Sequence, residues 1–276
     1  MSSILLQLIA TSLYTALAIL SWRSRWRGPA LERPPIGLAS WERIWLLAAL
    51  VAHGGALTQE IFPGDAMHFS FSIATSMILW LAITFYWIES FYTRMEGLQL
   101  LSLPVAAIGV LLPTLFPGQH LLANADSPQF RAHFLIAMLA YSLFTLAALH
   151  AVLMAVAEKQ LHRGRLTPIM ASLPPLLTME TLLFRLIHVA FALLTLTLAT
   201  GVLFSESLFG KAMAFNHKTF FAVVSWLIFA ALLAGRHIAG WRGRVALRWT
   251  LTGFAVLLLA YVGYRFVLEV ILGRPA

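Results

Sequence analysis

The sequence predicts an all-α fold, a polytopic bundle of transmembrane helices forming a single domain over residues 1–276. Three observations predict it. Hydrophobic residues make up 60% of the chain and Asp, Glu, Lys and Arg only 11%, against about 25% charged residues in a soluble domain. So few charges cannot cover a surface that faces water. The apolar residues also gather into eight runs near the roughly 20 residues that a helix needs to cross hydrocarbon. Finally, most basic residues cluster in alternate connections between those runs. The runs are read as helices because a lone strand in lipid would leave its backbone N–H and C=O groups unpaired.

The expected spans are 3–21, 42–60, 69–90, 98–116, 132–156, 181–204, 217–236 and 248–271. The first has no basic residues ahead of its apolar run, so it reads as a retained span and not a cleaved signal. The second is interrupted by His53, Gly54, Gly55, Thr58 and Gln59, so its polar side must face protein or a cavity. The third and fourth are joined through Arg94, and the fifth opens just after Arg131 with His133. The sixth follows a connection rich in Pro, and the seventh opens with His217 and Lys218. The eighth carries Arg265 and Glu269 four residues apart, a spacing that is more often structural than catalytic. The longest connections, 22–41 and 157–180, are too short for a separate domain, and no internal repeat is visible.

Charge orients the spans. Arg23, Arg25, Arg27, Arg33, Arg43, Arg94, Lys159, Arg163, Arg165, Arg185, Arg236, Arg242, Arg244 and Arg248 fall on one side, and only Arg131, Lys211, Lys218, Arg265 and Arg274 on the other. Positive loops stay in the cytoplasm. Both termini are therefore expected in the periplasm of a bacterial inner membrane. Trp22, Trp26, Trp41, Trp45, Trp241 and Trp249 gather at the expected cytoplasmic interface, where amphipathic rings settle at headgroup depth.

The same residues exclude several functions. The formal charge of +8 is dispersed in short clusters and not spread over one wet face, so nucleic acid is excluded as a partner. The Trp-Arg-Ser-Arg-Trp-Arg run at 22–27 is expected to touch anionic lipid. The absence of Cys removes thiol chemistry, disulfides and thiolate ligation. The carboxylates are spread over separate loops, without the convergent ligands of a zinc centre or a Gly-rich phosphate loop. An enzyme is not expected.

Histidines are the informative polar residues. His133 and His217 both begin helices at the expected outer face, with Arg131, Lys218 and Lys211 at the same depth. Two imidazoles across a haem plane would satisfy the iron axially, and the cations would meet the propionates. The competing reading is ordinary interfacial histidine. His53 lies inside a span, where a polar side chain is costly unless paired. Beside Gly54 and Gly55, which admit a close neighbour or a flat ring, it is expected to ligate a second haem or to bond between helices.

METLLFRLIHVAFALLTLTLATGVLF at 179–204, FNHKTFFAVVSWLIFAALLAGRHIAGWRGR at 215–244 and RAHFLIAMLAYSLFTLAALHAV at 131–152 carry a resemblance. They resemble the cytochrome c assembly family of haem-handling membrane proteins, the CcsA-, CcmC- and HemX-like proteins, and within it a branch of inner-membrane proteins with eight expected spans. The resemblance implies haem b held non-covalently near the periplasmic face, with His133 as an external ligand, and a membrane partner in cytochrome maturation. On the family's tryptophan-rich external segment, Lys218 takes the lysine position and Trp226 the tryptophan eight residues later. Asn216 and His217 stand where the family has Asp-Pro, Phe221 replaces a tryptophan, and the preceding tryptophan-rich portion is absent. The family's second external histidine would fall near Leu272 and is missing, and His217 is expected to supply that second ligand. The alternative is a structural or regulatory subunit, or a small-solute transport component, without haem.

Overall fold

Each expected span is a helix in the computed structural model, which describes residues 2–26, 38–64, 66–93, 97–118, 121, 125–163, 173–209 and 217–273. In chain order these are α1 (Ser3–Ser21), α2 (Ser40–Ile61), α3 (Phe71–Glu89), α4 (Gln99–Leu115), α5 (Pro128–His162), α6 (Leu176–Phe209), α7 (His217–Ile238) and α8 (Gly243–Ile271). Among the described residues the β structure is a single bridge, His68 to Leu121. Arg27, Arg33, Arg94, Arg165, Lys211, Asn216 and Arg274 lie outside the described residues.

Seven helices are long and apolar enough to cross a membrane, and α4, at 17 residues, is shorter. Pro104 and Pro113 lie within α4, and each withholds the N–H that would have closed an intrahelical bond. By contrast, α5 and α6 are longer than hydropathy indicated, 35 and 34 residues. Ser127 accepts from the N–H of Phe130 with Pro128 in the first turn, a start signal independent of apolarity. At ~1.5 Å per residue both helices outreach the ~30 Å hydrocarbon layer and carry polar ends into the headgroups.

The helices form two halves. In the first, α1 packs on α2 and α4, and α3 on α4; in the second, α5 lies along α6 and touches α8, and α7 packs on α8. Contact between α3 and α5 joins the halves. Small residues set the close approaches: a Cβ on Gly109 would come within 2.4 Å of Leu79, and one on Gly253 within 2.9 Å of the Phe229 ring. Thr75, Thr84, Ser142, Thr145 and Thr250 return their hydroxyls to the carbonyl four residues earlier, which satisfies them without water.

One end of the second half is tied by charge. Buried Glu180 of α6 accepts from Arg236 of α7 and, at 3.2 Å, from the backbone N–H of Gly243. Glu158 of α5 pairs with Arg244 of α8 at 2.8 Å. The opposite end opens into a cavity.

Candidate functional site

Helices α5 to α8 part at that opposite end around a cavity of about 500 Å³, within the ~300–1,000 Å³ range of small-molecule and cofactor sites. Helical spacing builds its walls. His133, Ala137 and Tyr141 recur every fourth residue on one face of α5, and Lys218 and Ala222 do so on α7. Thr197 and Gly201 come from α6, and Leu257, Ala260, Tyr261 and Arg265 from α8. The space exists because Ala137, Ala222, Ala260 and Gly201 are small where the four helices face one another. Two π turns, Leu259–Gly263 and Val267–Ile271, interrupt α8 here; such insertions recur at functional sites.

His133 has a hydroxyl partner on α6. Its Nδ1 lies 2.9 Å from Thr200 Oγ1, and that hydroxyl also lies 2.8 and 3.1 Å from the carbonyls of Leu196 and Thr197. In the tautomer with its proton on Nδ1, His133 donates to Thr200 while the hydroxyl proton goes to a carbonyl. The lone pair of the half-buried, cavity-lining ring is then left on Nε2, the arrangement that a supporting partner imposes on metal-ligating histidines. A Cβ on Gly201 would sit 3.4 Å from His133 Cε1, so this glycine lets the ring lie against α6.

The facing helices bring two cations. Lys218 Nζ rests 4.7 Å above the Tyr264 ring. Arg265, only 6% exposed, donates from Nη1 to Glu269 Oε1 at 2.8 Å and lies 5.5 Å over Tyr261. Glu269 Oε2 in turn accepts from the N–H of Phe71 at 2.9 Å, which joins α8 to the start of α3. Tyr141 donates to the carbonyl of Leu257 at 3.1 Å, fixing α5 to α8 at the cavity floor.

The other expected site residues fall elsewhere. His217 is exposed and does not line the cavity: Lys218, the next residue, takes the inward position, and one step of about 100° around α7 separates their side chains. The two expected imidazoles are thus not brought together. Arg131, two residues before His133, turns away and pairs with Asp126 at 3.1 Å on the surface. Trp226 lies one turn beyond Ala222, stacks on Phe191 and donates to Thr195 at 2.9 Å; it is part of the α6–α7 seam and not of the cavity wall.

His53 belongs to the other half of the molecule. It is 1% exposed, with Nδ1 3.4 Å from the Tyr14 hydroxyl of α1 and Nε2 3.0 Å from Ser76 Oγ of α3. Both ring nitrogens are thereby occupied by hydroxyls, which matches the interhelical hydrogen-bonding expectation and leaves no lone pair directed at iron. The flat ring that Gly54 admits is the indole of Trp80, 3.1 Å from where its Cβ would be. Sequence reasoning gave no site role to the cavity residues Tyr261 and Arg265 or to Thr200, which lies behind His133. The Arg265–Glu269 spacing was visible, but its inward direction was not.

Comparison with known proteins covers most of the chain. The family model described as cytochrome C assembly protein matches residues 41–272, which includes every cavity residue named above. The inner membrane protein YpjD of Escherichia coli strain K12 is 30% identical over 238 residues, 84% of this chain and 89% of that protein. A 28.8 kDa uncharacterized protein of Azospirillum brasilense is 35% identical over about half of each chain. The cytochrome c biogenesis protein CcsA of Prochlorococcus marinus strain MIT 9515 is 39% identical over 88 residues, 32% of this chain and 28% of that protein. No solved structure matches. With this coverage, and with a helical bundle of membrane-spanning length, the chain belongs to the cytochrome c assembly protein family.

Proposed function

We propose that this protein holds haem b non-covalently in the cavity between α5 and α8 and serves haem handling in cytochrome c assembly. The carrying observation is the hydrogen bond from His133 Nδ1 to Thr200. It leaves Nε2 as an axial donor in a cavity otherwise lined by aromatic, aliphatic and cationic side chains. These residues fit the group: an imidazole for the iron, small residues and Phe130, Phe134, Leu194 and Leu198 for the macrocycle, and Lys218 for a propionate. Bound haem would supply a coordination site whose character is set by ligand identity and burial. The chain's own part is to orient His133, shield the ring from water and release it, with no covalent bond made. Family membership and the likeness to CcsA, a cytochrome c biogenesis protein, support the reading.

The proposal extends to placement. The Arg bias puts the Glu180 end in the cytoplasm and the cavity at the periplasmic face of the inner membrane, the membrane named for YpjD. It also puts both termini outside, with α4 completing an eighth crossing. Because the chain has no Cys, single substitutions Leu121→Cys and Arg163→Cys report the sides directly. An impermeant maleimide is expected to label the first in intact spheroplasts and the second only after lysis, and the reverse pattern refutes the orientation. For the ligand, protein purified in mild detergent and titrated with haem is expected to show a Soret band that His133→Ala shifts or removes. A protein that remains blank, or a band indifferent to His133, refutes the reading and favours the haem-free membrane subunit.

A further inference from the structure

The cavity divides its chemistry between two walls. α5 and α6 carry the neutral imidazole of His133 and its Thr200 support; α7 and α8 carry Lys218 and Arg265. No Asp or Glu is among the described lining residues. Arg265 is 94% buried by its 6% exposure, and its partners account for only one edge: Nη1 serves Glu269 and, at 3.4 Å, the carbonyl of Phe69. Its Nε has no acceptor among the described residues. A guanidinium can bind a planar carboxylate through a pair of parallel N–H groups, and a buried N–H left without an acceptor is costly.

Glu269 cannot meet that need. Its two oxygens are divided between Arg265 Nη1 and the N–H of Phe71, so it neutralises Arg265 from behind the wall. The Lys218 ammonium then leaves this wall with one positive charge in excess. From this geometry we propose that Arg265, whose guanidinium lines the cavity with only its Nη1 edge engaged, and Lys218 form a carboxylate-recognition subsite. It selects the ionised acid form of a flat apolar occupant whether or not that occupant contains a metal. The identity of the occupant as a tetrapyrrole rests on the reading above, whereas the carboxylate selection does not depend on iron or on His133.

The test uses the full chain in detergent and iron-free probes. Protoporphyrin IX and its dimethyl ester share the ring and differ in the carboxylates, and porphyrin fluorescence anisotropy reads the binding of both. The acid is expected to bind about tenfold or more tightly than the ester, as loss of a charge-assisted contact implies. Lys218→Gln, a half-buried position, and the paired Arg265→Gln/Glu269→Gln substitution, which removes both members of the ion pair, are each expected to weaken acid binding more than ester binding and so to shrink that preference. A thermal unfolding midpoint near the parent's checks that the variants fold. Equal binding of acid and ester, no binding of either, or a preference retained in both variants overturns the proposal. If His133→Ala abolishes the haem spectrum but keeps the acid-over-ester preference, the subsite stands apart from the iron ligand. If haem never coordinates His133 yet the preference persists, the haem reading fails and the subsite survives.

Discussion

Thr200→Val tests the tautomer argument at its source. The substitution keeps the shape of the side chain and removes the oxygen that lies 2.9 Å from His133 Nδ1. With its proton on the carbonyl of Leu196 or Thr197, that oxygen accepts from the ring. Losing it removes what holds the proton on Nδ1 and the lone pair on Nε2. A net hydrogen bond of about 0.5–1.5 kcal/mol corresponds to a factor of roughly 2 to 13 in affinity. Loss of a partner that orients and polarises a metal-ligating histidine costs about 10–100-fold, so haem affinity is expected to fall by about tenfold. The assay is a Soret-band titration in detergent, with Thr200→Ser as the control that restores the acceptor. Wild-type affinity in the Val variant, or equal loss in Val and Ser, would refute the reasoning.

Three further outcomes follow from the packing. His53→Ala leaves the Tyr14 and Ser76 hydroxyls without their shared partner, an expected loss of about 1–3 kcal/mol by thermal unfolding, with the haem spectrum unchanged; a lost Soret band would show that His53 does ligate. Gly201→Leu fills the space beside the His133 ring, where even a Cβ lies 3.4 Å away, and is expected to abolish haem uptake while the protein stays folded and monodisperse; normal uptake refutes the assigned cavity. Glu180→Gln strips the counter-ion from Arg236, whose side chain is 19% exposed, and breaking such a pair costs about 3–5 kcal/mol. Adding Arg236→Met is expected to recover much of that stability; a double variant no better than the single one refutes the tie.

Much of the fold was legible because hydrocarbon imposes a single rule on every apolar run long enough to cross it. Helix ends were less so: the start of α5 is set by Ser127 and Pro128, and its far end by polar residues that hydropathy discounts. In the cavity, His133 was legible from its place at the end of a span. Its partner was not, because His217 and Lys218 are adjacent in sequence and only the rotation of α7 decides which faces inward. Arg265 was obscured differently. Its i,i+4 relation to Glu269 accounted for it as a structural pair, and only the structure shows that α8 turns both groups into the bundle, 7% and 5% exposed in their side chains. The π turns on either side of Arg265 have no signature in the apolar pattern.

The contact of Glu269 with the backbone of Phe71 and of Arg265 with the carbonyl of Phe69 spans almost 200 positions of sequence. Ribosomes deliver the start of α3 to the bilayer long before α8 follows. During synthesis the Phe69–Phe71 segment must therefore wait, with its N–H and carbonyl unanswered or hydrated, until the most C-terminal of these helices is inserted and docks. The mouth of the bundle acquires its shape last, and an unfinished chain in the membrane lacks the clasp that closes it.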